Sequence, residues 1–533
     1  MRSVDACYTG DSHGDNGMRI QSRFGISIAF LAAGSASLCL QGVTAVGQAA
    51  AAAKTTTAAE TKAPQAVAVS PETQAALVKL GGQLMVAGKA YEYDRQLADE
   101  IGPRLTGSAN YVKATDWAIA EFTRLGLTHV HKESWEIPAT WEPETLATAS
   151  IVAPHAQRLH LESEGWSPST PVGGVHGKVF YLDALTPEAV TAAAASIKGS
   201  VVLVDEESLA ADKEERFGRL FDAVRGIGKE GAIGLVLGLG ATNNAPSLIG
   251  LTDFNGTLTA LPSGNLGKED TLLLKRMLEK GPVEIEYSFR NRIRKNVKVD
   301  NVVAEIPGRE ANGEFVVVGG HLDSWDPGTG AQDNGTGAAS VVAVAEAIKA
   351  SGLTPRRTIR FVLFGGEEEG TIGSVRYARD HLSEMDKCAG VFVTDTGAEA
   401  PLGWFSFGRD DEKASLKALA PWLSALGASG TSDEGGLTFE TDEAPFLIRG
   451  VPSFVLWTPM EKYMQLHHKP SDTFDKVNQR DLNLGAATVG LTAYAFADAA
   501  ASLKHLSAAE METQLKGIKA WPQYQDLVEH KLF

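Results

Sequence analysis

From residue 299 onward the chain alternates strand-length apolar runs with helical stretches, and few architectures accommodate that rhythm. Phe315–Val318, Thr358–Phe364, Val391–Thr394 and Ser453–Trp457 are rich in Val, Ile, Leu and Phe, the texture of strands buried on both faces. Gly337–Lys349 lies between the first two runs, and Leu482–Leu503 follows the last; both read as helices. Strands connected through helices pair in parallel, because a parallel neighbour needs a crossover longer than a hairpin turn. The pattern predicts an α/β fold, a mainly parallel mixed sheet flanked by helices. In such sheets ligands bind beyond the carboxyl ends of the strands.

Upstream, Pro71–Val86 and Tyr91–Ile101 have helical texture, which Gly102-Pro103-Arg104-Leu105-Thr106-Gly107 interrupts. Ser108 can cap a helix whose Val112, Ile119 and Phe122 share one face, with Gly126 as its stop. Val130–Ile137 then suits a strand. Residues 150–285 have another rhythm: short apolar runs at Val179–Leu182, Val201–Val204 and Ile233–Leu237, Gly-rich turns, and one helix around Phe217–Lys229. None of these runs ends in a cluster of His, Asp or Glu. The segment reads as a small β-rich domain inserted into a larger one made of residues 71–149 and 286–505. Residues 506–533 are left as a C-terminal tail.

The start of the chain differs again. Residues 1–17 are polar and unpatterned; Met18, Arg19 and Arg23 then precede an apolar run from Phe24 to Leu40, followed by Ala45, Gly47, Ala49 and Ala50. A basic start, an apolar middle and a small-residue exit form a secretory signal. Gly25, Ser27, Gly34, Ser35 and Ser37 make the run a poor permanent span, and Ala36-Ser37-Leu38 before Cys39 is a poor lipoprotein signal. Residues 1–47 are expected to comprise an upstream segment and a signal peptide starting at Met18. Residues 48–70 are expected to form a disordered linker. The mature protein is then exported, periplasmic or secreted, without stable membrane insertion. Loss of Cys7 and Cys39 leaves Cys388 alone, which excludes a disulfide framework and a cysteine zinc site. A formal charge of −17 argues against nucleic acid as a partner.

At the predicted strand ends, metal-ligand residues recur. Phe315–Val318 runs through Gly319-Gly320 into His321-Leu322-Asp323, and Asp333 follows in Gln332-Asp333-Asn334-Gly335. Thr358–Phe364 leads to Glu367-Glu368-Glu369, and Val391–Thr394 leads to Asp395. After Ser453–Trp457 comes Leu466-His467-His468-Lys469-Pro470-Ser471-Asp472-Thr473. Singly, a strand-end histidine or a glutamate run is ordinary surface chemistry; here every core strand ends in one. Imidazole plus carboxylate without thiolate suits zinc. Two histidines and three carboxylates exceed one tetrahedral site and suit two neighbouring ions that share a carboxylate. Hydrolysis also needs a carboxylate free to take a proton from water, and adjacent glutamates can divide these roles. Asp323 is placed to orient the His321 ring.

The runs resemble the co-catalytic zinc aminopeptidase and glutamate carboxypeptidase superfamily. The similarity rests on Gly319-Gly320-His321-Leu322-Asp323-Ser324-Trp325-Asp326, Asp333, Glu367-Glu368, Asp395, Gly450-Val451-Pro452-Ser453, and His468 with Asp472-Thr473. Ile101–Ser108 is similar to one branch of it. The resemblance implies a zinc exopeptidase fold with residues 150–285 as a protease-associated domain. It implies two zinc ions per chain, with Asp333 bridging, His321 and Asp395 on one ion, and Glu368 and His468 on the other. Glu367 would be the general base, with Asp323 in support, and the Asp333–Asn334 peptide would be cis. Glu368 with Glu369 for the base and ligand pair, and His467 for His468, remain alternative registers. The expected activity is hydrolysis of short peptides from one end. A non-peptide amidase and an inactive binding protein are the rival readings, and homodimer formation is left open.

Overall fold

The computed structural model describes residues 66–214, 216–250, 253–433 and 438–532. The expected export signal and most of the expected linker lie outside them. Packing begins at Val67, which is buried and whose N–H donates to Ser415 Oγ at 3.0 Å.

The chain builds two eight-stranded mixed sheets flanked by helices. The first contains β1 (Thr128–Pro143), β2 (Asn291–Ile306), β3 (Phe315–His321), β4 (Thr358–Phe364), β5 (Cys388–Val393), β6 (Gly403–Phe405), β7 (Gly430–Ser432) and β8 (Ser453–Trp457). Their spatial order is β1-β2-β4-β3-β5-β8-β6-β7. The middle four, β4, β3, β5 and β8, pair in parallel, as their continuous apolar texture predicts. β3 sits between β4 and β5, so the chain reverses its direction of travel across the sheet there, and such a point opens a crevice at the carboxyl ends. Two helices cover one face with side chains buried almost throughout, Thr336–Ala350 and Gln479–Asp498. Under the second lies an aromatic cluster in which Phe392 stacks on Phe454 at 4.9 Å and meets Phe496 and Trp404 edge-on at 5.2 and 5.7 Å.

β1 and β2 are sixteen residues each and pair antiparallel along their length. The chain leaves the first sheet at Pro143 and returns at Asn291. Between them, residues 148–288 form the second sheet, whose central strands Val201–Asp205 and Gly234–Gly238 are fully buried. The two sheets meet through tryptophans: the Trp141 indole N–H donates to the Ser167 carbonyl at 3.1 Å, and that of Trp166 to the Ala139 carbonyl at 2.9 Å. The expected tail is two helices, Ala508–Gly517 and Trp521–Glu529, which bury Met511, Leu515 and Leu527. No helix among the described residues is long and apolar enough to cross a membrane.

Candidate metal centre

Four strand ends converge where β4, β3, β5 and β8 stop. His321 is the last residue of β3 and is fully buried. Its Nδ1 lies 3.1 Å from the Asp323 carbonyl oxygen; a proton donated there leaves the lone pair on Nε2. Nε2 faces carboxylates: Asp395 Oδ1 at 3.1 Å, Asp333 Oδ1 at 3.3 Å and Glu367 Oε2 at 3.9 Å. On the other side His468 Nε2 lies 3.0 Å from Glu368 Oε2 and 3.3 Å from Asp333 Oδ2. The two oxygens of Asp333 therefore face two different histidines. The Asp333–Asn334 peptide is cis.

The loops are held by hydrogen bonds from outside the ligand set. The Asp472 carboxylate accepts the N–H groups of Gln332 at 2.7 Å and Asp333 at 3.0 Å. The Asp323 carboxylate accepts the Thr106 hydroxyl at 2.7 Å and the N–H groups of Glu367 and Glu368 at 3.4 and 3.3 Å. Its distance to His321 Nδ1 is 3.6 Å, so the carbonyl rather than the carboxylate of Asp323 makes the closer contact with the ring. Asp472 was visible in the sequence only as part of a motif. Tyr463, buried with its ring 5.1 Å from that of His467, carried no sequence signal of its own.

The electrostatics are those of a cation site. Burial, together with neighbouring acids, pushes the Glu367 and Glu368 carboxyls well above the usual range, and burial pushes His468 well below its own. Burial opposes charge on His321 too, but Asp395 and Glu367 outweigh it and push that ring well above its usual value. Among the described residues no lysine or arginine is ion-paired with Asp333, Glu367, Glu368 or Asp395. Lys469 turns its Nζ to the carbonyls of Met464 and His467, and burial lowers it to about 8. Asp333 Oδ2, Glu368 Oε1 and His468 Nδ1 are buried without a hydrogen-bond partner, which costs free energy unless something else binds them. Three sets of ligand atoms each gather within 4.8 Å: His321, Glu367 and Asp395; His321, Asp333 and Glu368; and Asp333, His467 and His468. The donor set, imidazole and carboxylate without thiolate, fits divalent zinc.

Three charged residues of neighbouring loops, Arg409, Asp442 and Glu443, behave differently. Arg409 is buried and committed: its guanidinium grips Asp411 at 2.8 and 3.0 Å and lies 3.3 Å from Glu412. It also donates to the carbonyls of Gly450 and Lys504. It is not available to a substrate carboxylate. Asp442 and Glu443 are fully buried, and their four carboxylate oxygens make no hydrogen bond of normal geometry. Burial raises the Asp442 carboxyl to about 8.

Residues 301–492, which carry every ligand candidate, match the model of peptidase family M28. Mouse carboxypeptidase Q is 29% identical over 426 residues, spanning 79% of this chain and 88% of its own. The crystal structure of a peptidase M28 precursor from Shewanella amazonensis superposes with a TM-score of 0.73 at 28% identity, covering 82% of this chain and 99% of that one. In sequence and fold the chain is similar to zinc aminopeptidases and carboxypeptidases. The same fold occurs in BSAP, a zinc aminopeptidase from Bacillus subtilis, at 20% identity and a TM-score of 0.59 over 78% of this chain and 98% of that one.

Proposed function

We propose that this protein is an exported exopeptidase that holds two zinc ions and hydrolyses short peptides. The observation that carries the reading is Asp333, whose two oxygens face His321 on one side and His468 on the other. Asp333 would bridge the ions, His321 and Asp395 would hold one, and Glu368 and His468 the other. Contact with Glu368 at 3.0 Å favours His468 over His467, and Glu369 belongs to none of the ligand groups. When bound, the ions supply Lewis acidity toward the scissile carbonyl and toward water. Glu367 takes a proton from the attacking water on its carboxylate as the water oxygen bonds to the carbonyl carbon. It then delivers that proton to the departing nitrogen as the C–N bond breaks. Asp323 fixes Glu367 and Glu368 through their N–H groups. Residues 150–285 would be the protease-associated domain implied by the resemblance.

The commitment of Arg409 and the buried, unpartnered carboxylates of Asp442 and Glu443 favour recognition of a substrate amine over a substrate carboxylate. Zinc analysis, with dipeptides carrying free, amino-blocked or carboxyl-blocked ends, tests the reading. About two zinc ions per chain, chelator-sensitive turnover and loss of cleavage on amino blocking are expected. Metal content near zero in an active enzyme overturns the mechanism, and cleavage of non-peptide amides alone supports an amidase.

A further inference from the structure

We propose that Arg104, with Thr106 two residues on, is a positioning element of the metal centre. Arg104 is fully buried, and its guanidinium meets no carboxylate within ion-pair distance among the described residues. Nε donates to the Leu322 carbonyl at 2.9 Å, Nη1 to that of Thr329 at 2.8 Å, and Nη2 to that of Gly330 at 2.7 Å. Its backbone N–H donates to Ser324 Oγ at 3.0 Å. These four acceptors lie in the loop that begins after His321 and ends at Asp333, while Nη1 also makes longer contacts to the carbonyls of Gly102 at 3.3 Å and Leu97 at 3.4 Å. One planar group therefore ties the start of that loop to its end and sets the separation of the two residues proposed as ligands.

The chemistry requires arginine. Its rigid fork presents donors in several directions at once, whereas a lysine ammonium is a point charge that cannot span carbonyls eight residues apart in the chain. The loop is shaped around it. Gly330 has φ +60°, and a Cβ there would fall 2.2 Å from Ser324 Cβ; a Cβ on Gly335 would fall 2.4 Å from Asp94 Oδ1 and 3.6 Å from Arg104 Nη2. Asp94 is buried beside it, with neither oxygen hydrogen-bonded; burial pushes its carboxyl well above the usual range, and the guanidinium works against that shift. Thr106 continues the device: its hydroxyl holds the Asp323 carboxylate, which in turn holds the N–H groups of Glu367 and Glu368. A short segment preceding the first sheet thus braces two of the four strand ends, the His321–Asp333 loop and the Glu367-Glu368 turn, without touching a ligand side chain.

This inference rests on the two-zinc reading, and the test separates the two. Zinc affinity is measured by chelator competition on the metal-stripped full chain, alongside circular dichroism and the melting temperature of the stripped protein. Arg104→Lys is expected to keep its fold and to bind zinc about 10–100-fold more weakly. Its kcat should recover in excess zinc while KM stays unchanged. Thr106→Val is expected to weaken zinc binding in the same direction by less. Wild-type zinc affinity in folded Arg104→Lys overturns the inference, as does a lowered melting temperature with unchanged affinity. If Arg104→Lys does not fold, Thr106→Val decides, and wild-type affinity there is the overturning result. A wild-type chain that binds no zinc overturns the metal reading itself and this inference with it.

Discussion

Glu367 and Glu368 are identical neighbours that only their surroundings distinguish. Glu368 reaches His468, while Glu367 stops 3.9 Å from His321 Nε2. Glu367→Gln keeps size and hydrogen bonding but cannot accept a proton. It is expected to retain its zinc and to lose about 100- to 10,000-fold in kcat. Metal analysis beside dipeptide turnover checks this, and near-normal turnover would move the base to Glu368. The residue types were legible in the sequence because ligand chemistry admits few of them. Their register was less so. Gly366 has φ +72° and His468 φ +59°, left-handed conformations that redirect successive side chains. Nothing in Glu367-Glu368-Glu369 or His467-His468 announces which residue turns inward.

At the scale of elements, Thr358–Phe364 and Ser453–Trp457 have the same limits in sequence and structure, since buried parallel strands must be apolar throughout. β3 runs on through Gly319-Gly320 to His321, because ladder pairing with β4 and β5 persists where apolar texture stops. The full length of β1 and β2 was hidden: the outer part of β2, Asn291–Lys298, is mostly exposed and basic, so no apolar alternation marks it. Glycines show where packing overrides propensity. Alanine is favoured over glycine inside a helix by about 1 kcal/mol, and Gly82→Ala, with nothing within 4 Å of its Cβ, should gain up to that amount. At Gly337, in the first turn of Thr336–Ala350, a Cβ would lie 2.2 Å from Asn334 Oδ1 and 2.3 Å from the Thr394 carbonyl oxygen. Both atoms are fixed, since Asn334 Nδ2 donates to that same carbonyl at 2.8 Å. Overpacking of this kind costs about 1–3 kcal/mol, so Gly337→Ala should be destabilised and lose zinc. Thermal melts and metal content of the two variants check the pair, and equal stability would remove the steric argument.

At the scale of the whole molecule, the tryptophan junction between the two sheets lies beside the metal centre. Glu164 is buried there, with Asn265 donating to one oxygen at 2.9 Å and the other unpartnered. Burial raises its carboxyl well above the usual 4.5. The folded state thus holds this proton more tightly than the unfolded chain, a contribution complete below about pH 4.5 and lost as pH rises through the folded value. Glu164→Gln does not titrate, so its stability advantage should grow from acid to neutral pH, reaching on the order of 1–3 kcal/mol. A melting difference that stays flat with pH counts against this. The junction also bears on substrate size. The Leu248 N–H donates to the His468 carbonyl at 2.8 Å, and Trp325 meets Trp166 edge-on at 6.0 Å and His468 at 5.9 Å. Residues of the second sheet's segment therefore pack directly on the His468 side of the centre, which protein closes. A site closed on one side admits a chain end and excludes a chain that runs through. The fully buried carboxylates of Asp442 and Glu443 could then bind a terminal amine, and their desolvation makes a missing partner costly. Free dipeptides should be cleaved, while acetylated peptides and the internal bonds of casein should be cut at least about tenfold more slowly. Equal rates on dipeptides and casein would mean that the closed side is not where the substrate ends, and the exopeptidase reading would fall while the zinc chemistry stood.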